Sequence, residues 1–441
     1  MVCADGAEIG RAQYLQALAS RCEPNSAMNP VLLKPGSDRR SFIVLRGKPA
    51  GTLESGQYAH GRRHLAEAAW EAYRELADSH QIVICEGAGS PAEINLRDGD
   101  YVNMGLARHF NLPTIIVGDI DRGGVLASLY GTWALLDDED RALLRGYIIN
   151  KFRGDDQILT PGLDKITSLT AMKHLGTVPW LRGVWLDGED TLEVGRWRHD
   201  HVEQSDTSQL NVAVVRLPRI SNATDVDALA AEANVSVHVT TDPKTCAQAD
   251  LLVLPGSRST ISDLEWLRAQ GIADVIVQRA TQSRPVLGIC GGYQMLGHRI
   301  VDGIESADQA EGLKLLPIDV TFRPEKITTR SQASWRGIEA SGYEIHHGIC
   351  TPNAQADEAF LDGVMSGSVA GTMMHGSLES DEFRRAYLDY VAKTIGSDWR
   401  TDPQAATMND HREAMIESLA HACEEHLDID AMIEMAYHAQ S

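Results

Sequence analysis

The segment Pro285-Val286-Leu287-Gly288-Ile289-Cys290-Gly291-Gly292-Tyr293-Gln294-Met295-Leu296 passes from an apolar strand pattern through Gly-x-Cys-Gly-Gly straight into a helical pattern. A strand that turns sharply into a helix needs residues without a Cβ where the backbone is strained or closely approached. Such a turn holds its central side chain above the sheet at a helix N-terminus, where the helix dipole favours a thiolate. This is the elbow logic of α/β hydrolases, with Cys in place of Ser. A buried structural cysteine is the ordinary fate of an isolated Cys, and it accounts for Cys3, Cys22, Cys85, Cys246, Cys350 and Cys423. It does not account for three glycines around one cysteine after a strand. Cys290 is therefore the candidate nucleophile.

A thiolate nucleophile needs a base. His375, in Gly371-Thr372-Met373-Met374-His375-Gly376, ends a short apolar segment and is the first choice. His346 and His347, in Glu344-Ile345-His346-His347-Gly348, are rivals. Acyl transfer also needs donors for an oxyanion. The Gly256 turn after the apolar run Leu251–Leu254 offers one backbone N–H, and Gly291, just past the nucleophile, offers another.

Around this site the chain reads as α/β. In its first part, short β-branched runs at Gln81–Cys85, Pro113–Gly118 and Gly146–Asn150 alternate with amphipathic stretches. In its second part the runs are Asn211–Val215, Val235–Val239, Leu251–Leu254 and Val286–Ile289. Alternation of this kind predicts mainly parallel sheets covered by helices, and ligands then gather beyond the carboxyl ends of the strands. The polar loops at Glu86–Gly89, Asp119–Gly124 and Asn150–Asp155 are expected on one such edge. Residues 188–210 are polar and aperiodic, which places a boundary there. The expected division is a first domain over 1–190, a linker over 191–210, a second domain over 211–396 and a helical C-terminal appendage over 397–441.

The net charge is -22. Nucleic-acid binding needs a basic face, so nucleic acid is excluded as the main partner. No apolar stretch is long enough to span a bilayer, and no secretory leader is visible. The seven cysteines are scattered singly, without CxxC spacing, which suits a reducing, cytoplasmic compartment.

The Pro-Gly turn, Gly-x-Cys-Gly-Gly and His-Gly together resemble class I glutamine amidotransferase domains. Most of these carry a glutamate two residues after the histidine. That position here is Ser377, and the resemblance implies a Cys–His dyad with no third member. Across the whole chain, further motifs resemble the cobyric acid synthase family: Ala4–Gln13, Met28–Pro35, Glu86–Leu96, Asp119–Gly124, Ile149–Asp155 and Arg216–Asn222. The resemblance implies an ATP- and Mg²⁺-dependent ligase with a fused glutaminase. Its substrates would be glutamine and a corrinoid, amidated at the b, d, e and g carboxylates of adenosylcobyrinic acid a,c-diamide. Cobyrinate a,c-diamide synthase shares both domains and is an alternative. A non-catalytic remnant is another.

By similarity to dethiobiotin synthetases, Glu8 and Glu86 would hold Mg²⁺ and Asn150 would meet the adenine. Asp119, Asp121 and Arg122 would face substrate. Synthetases of this group begin with a strand, a Gly-rich loop ending Gly-Lys-Ser or Gly-Lys-Thr, and a helix. The sequence begins after that unit, as a truncated copy would. Gly47-Lys48-Pro49 and Lys165-Ile166-Thr167 do not replace the loop. The expectation is a first α/β domain that lacks its phosphate-binding unit and holds ATP poorly.

Overall fold

The structure is a computed structural model that describes residues 1–35, 40–54, 63–181, 184, 209–305 and 308–438. It divides into two compact units, each assembled from two stretches of sequence: residues 1–24 with 187–412, and 25–186 with 413–441. The expected linker 191–210 lies outside the described residues except for its last two positions. Among the described residues, no helix is long and apolar enough to cross a membrane.

The unit containing Cys290 is built on seven strands: β1 Leu210–Val215, β2 Val235–Thr240, β3 Leu251–Leu254, β4 Val286–Ile289, β5 Glu358–Phe360, β6 Gly363–Ser366 and β7 Val369–Thr372. Their order across the sheet is β5-β6-β7-β4-β3-β1-β2. The ladders β1–β2, β1–β3, β3–β4 and β4–β7 are parallel, and β5–β6 and β6–β7 are antiparallel. All four residues of β3, β4 and β7 are buried. That is why these strands read as unbroken apolar runs rather than as alternating patterns.

The parallel register fixes the site. Ile289 lies opposite Thr372, and the Cys290 N–H donates to the Thr372 carbonyl at 2.8 Å. Leu254 lies opposite Gly288. The carboxyl ends of β3, β4 and β7 therefore deliver Gly256, Cys290 and His375 to one edge. A short antiparallel pairing of Ile220–Ser221 with Gly256–Ser257 ties the segment after β1 to the same edge.

A long antiparallel hairpin, Ile318–Trp335 with Ile338–Pro352, belongs to a second sheet of this unit. Tyr343 on the hairpin exchanges both backbone hydrogen bonds with His375, at 2.9 and 2.8 Å.

Two expected boundaries are corrected. Residues 1–24 join the Cys290 unit rather than the first α/β domain. Val2, Cys3 and Ile9 are buried in it, Arg330 donates to the Val2 carbonyl at 3.0 Å, and Arg11 pairs with Glu379 at 2.9 Å. Nor is the tail from 397 one appendage. Trp399 is buried and donates its Nε1 proton to the Ala233 carbonyl at 3.0 Å, so residues 397–412 complete the Cys290 unit. Residues 413–441 belong to the other unit, where Asp428 pairs with Lys173 at 2.6 Å.

That other unit has a three-stranded parallel sheet of Thr114–Asp119, Leu144–Phe152 and Lys173–Pro179. Met104, Leu129, Tyr147, Ile149, Ile166 and Met172 fill its core. A separate antiparallel sheet is formed by Val31–Pro35, Arg40–Leu45 and Lys48–Glu54. Arg46 and Gly47 form the hairpin turn between its last two strands, Lys48 opens the strand that follows, and Lys165 lies inside the helix Thr160–Thr170. The expected strand Gln81–Cys85 is corrected. It has no ladder partner among the described residues, and Ile84 is 91% exposed.

Candidate active site

Cys290 stands between β4 and the helix Gly291–Leu296 with φ 50° and ψ -111°. An L-residue reaches positive φ only at a steric cost, which the surrounding fold must sustain. The neighbouring glycines make the turn possible. A Cβ on Gly292 would lie 2.0 Å from the Leu254 carbonyl oxygen, and one on Gly288 would lie 2.8 Å from the Tyr293 nitrogen. A Cβ on Gly291 would lie 2.7 Å from the Ser257 nitrogen, so the elbow rests against the Gly256–Ser257 segment. Gly291 opens its helix, and the first N–H groups of a helix have no partner within it.

His375 is buried, and its ring interacts with the Cys290 side chain. Its Nδ1 lies 2.6 Å from the Asp225 carboxylate, and the other Asp225 oxygen accepts from the Gly376 N–H at 2.8 Å. With Nδ1 taken by Asp225, Nε2 is left to face the thiol. Burial alone would lower the imidazole pKa. The charges of Asp225 and Cys290, and the hydrogen bonds to both, outweigh burial and raise it to about 10. The ring also stacks with Tyr343, centroids 5.5 Å apart.

The expectation of a dyad without a carboxylate is thus overturned. Ser377 indeed supplies none, and its hydroxyl donates to the Met374 carbonyl at 3.4 Å. The carboxylate at the ring comes from Asp225, 150 residues upstream, on a 3₁₀ turn over Ala223–Val226. The motif read in the sequence, Arg216–Asn222, stops three residues short of it. The rivals are otherwise engaged: His346 Nε2 meets Glu344 at 2.9 Å, and His347 Nδ1 meets the Arg323 carbonyl at 3.0 Å.

The CobB/CobQ-like glutamine amidotransferase domain family matches residues 211–383, and an AAA domain family matches residues 55–185. A cobyric acid synthase from Cutibacterium acnes is 65% identical over 439 residues, 99% of this chain and 90% of that protein. The chain belongs to the cobyric acid synthase family. Cobyric acid synthases from Mycolicibacterium gilvum and Mycobacterium tuberculosis are each 50% identical over 99% of this chain and 88% of their own length. Membership makes the chain a carbon–nitrogen ligase with a glutamine amidotransferase domain, and the α/β class follows from both sheets.

The residues this family resemblance suggested for the synthetase reaction are brought together in part. Asp119 and Asn150 are ladder partners at the carboxyl ends of adjacent strands. Lys151 holds Asp119 at 2.9 Å, which keeps that carboxyl below its usual range. Asp121 pairs with Arg153 at 3.4 Å, and Arg122 is exposed beside it. Glu86 is exposed. Its loop is fastened by Asn103, whose side-chain amide donates to the Ala88 carbonyl at 2.9 Å.

Glu8 is 1% exposed in the Cys290 unit, with its carboxylate on Lys326 at 2.7 Å, whereas Glu86 belongs to the other unit. A carboxylate already neutralised by an ammonium is a poor Mg²⁺ ligand. Among the described residues, no cluster of three or more His, Cys, Asp or Glu side chains is placed to hold a metal ion.

Proposed function

We propose that the chain hydrolyses glutamine at Cys290 and passes the ammonia to an ATP-activated corrinoid carboxylate. The acceptors are the b, d, e and g carboxylates of adenosylcobyrinic acid a,c-diamide. The observation that carries this reading is the strained elbow cysteine and a buried histidine brought to the one edge where three parallel strands end.

The Cys290 sulfur attacks the γ-carboxamide carbon of glutamine. The oxygen becomes an anion directed at the N–H groups of Gly291 and of the Gly256 segment. His375 holds the proton of the Cys290–imidazole pair and gives it to the leaving nitrogen as ammonia departs. Water attacks the resulting γ-glutamyl thioester, glutamate leaves, and the thiol is restored.

In the synthetase half, ATP supplies the phosphoryl group that turns a carboxylate into an acyl phosphate. The AAA match and the polar residues Asp119, Asn150 and Lys151 at the strand ends support that placement. Glu8 does not fit a Mg²⁺ ligand set, and no step is assigned through the metal. The test is glutamate release by the 441-residue chain and by its Cys290→Ser variant. Undiminished release in the variant refutes the reading.

A further inference from the structure

We propose that Asp225 is a positioning residue that holds His375 in one tautomer, one orientation and its protonated form, replacing the carboxylate missing at position 377. The inference rests on the glutaminase reading and deepens it. Four observations carry it.

First, both Asp225 oxygens are committed to residues 375 and 376, at 2.6 and 2.8 Å. A carboxylate serving only as a backbone cap would need one of them. Second, Asp225 and His375 are each nearly fully buried, and among the described residues no Lys or Arg pairs with Asp225. A buried carboxylate without a cation is costly, and the imidazolium is the cation present. Third, the turn carrying Asp225 is held in place. Asn222 enters it at φ 48°, the Asp225 N–H donates to the Asn222 carbonyl at 3.0 Å, and the preceding Ser221 pairs with Gly256. Fourth, Gly256 closes the other side of the ring, where a Cβ would lie 2.9 Å from His375 Cε1. Asp225 and Gly256 thus fix the imidazole between them, with Nε2 directed to Cys290.

The titratable and charged groups facing the ring are Asp225 and Cys290, with Glu344 on the neighbouring hairpin and Tyr343 stacked against it. Of these, Asp225 is the one that holds the ring by a hydrogen bond, at 2.6 Å. The proton on Nδ1 stays between His375 and Asp225 throughout glutamine hydrolysis. The proton on Nε2 goes to ammonia and is regained from the attacking water.

The experiment compares the wild-type chain with Asp225→Asn and Asp225→Glu. Glutamate release is measured from pH 5 to 10, and iodoacetamide labelling of Cys290 is followed by peptide mass spectrometry. Replacing the third member of such a constellation typically costs ~10²- to 10⁴-fold in kcat. Asp225→Asn is expected to lose kcat in that range with KM for glutamine little changed. Its alkaline limb should move to lower pH, because the imidazolium is no longer held, and its labelling rate below pH 7 should fall at least tenfold. Asp225→Glu is expected to recover part of both. A folded Asp225→Asn variant with kcat within about threefold of wild type and an unmoved alkaline limb overturns the proposal.

Should Asp225→Asn fail to fold, ¹⁵N spectra of His375 in the wild type decide. An Nδ1 that carries its proton through pH 6–9 upholds the proposal, and an unprotonated Nδ1 overturns it. If the wild type releases no glutamate, the glutaminase reading falls, while the labelling profile and the ¹⁵N spectra still test Asp225.

Discussion

Gly256→Ala would press a methyl group directly against the His375 ring. The added Cβ would stand 2.9 Å from His375 Cε1, 3.7 Å from Nε2 and 3.0 Å from the Ser221 carbonyl oxygen. Carbon atoms pack best at about 3.5–4.0 Å, so the ring must retreat by roughly 0.6–1.1 Å. It cannot slide far, because Asp225 grips Nδ1 at 2.6 Å and Tyr343 lies alongside. The ring therefore turns about that anchor and carries Nε2 away from Cys290. A displacement near 1 Å costs about 10²-fold in rate. Overpacking of this kind costs about 1–3 kcal/mol, which lowers the melting temperature of a unit this size by about 2–12 °C. Steady-state glutamate release and a calorimetric melt read the two effects separately. The expected result is a kcat reduced about a hundredfold in a protein that still melts cooperatively. A variant with kcat within twofold of wild type and an unchanged melt would refute the reasoning.

Cys290→Ser should abolish glutamine-dependent amidation while added ammonium salts still support it, as measured by corrinoid mass. Arg279 is buried and donates to the carbonyls of Cys246, Ala247, Ala249, Asp250 and Pro285 at 2.7–3.2 Å. Arg279→Met strands these acceptors, and since one unsatisfied buried group costs about 1–3 kcal/mol, a melting temperature lowered by at least about 5 °C is expected in calorimetry. The raised His375 pKa has a pH signature. Its ordinary value is 6.5 and its folded value about 10, so its contribution to stability is complete below pH 6.5 and is lost as pH rises through 10. Melting temperatures of His375→Gln should accordingly fall less steeply between pH 7 and 10 than those of wild type.

The elbow was legible because its constraints are local: a strand, a glycine-bracketed cysteine and a helix are contiguous from Val286 to Leu296. The strands β1 to β4 were legible because buried parallel strands are apolar throughout. The hairpin Ile318–Pro352 was not, because much of it is partly exposed and its polar residues mask the alternation. Asp225 was not legible because its partner lies 150 residues away and nothing in Ala223–Val226 marks the turn as more than a surface loop. Nor could local sequence show that Glu8, given a metal-binding role by the resemblance to dethiobiotin synthetases, is paired with the distant Lys326.

The interleaving of the two units bears on how the molecule is made. Residues 1–24 leave the ribosome well before the rest of their unit, which runs to Arg412. At about 5–20 residues per second, roughly 20–80 s of synthesis separate the emergence of Val2, Cys3 and Ile9 from that of the last segment of their unit. Through that interval an apolar stretch that ends fully covered has no finished surface to dock against. Residues 1–24 thus wait longest for the surface that covers them, and a chaperone that holds this segment during translation should raise the yield of folded protein more than one that acts on the released chain.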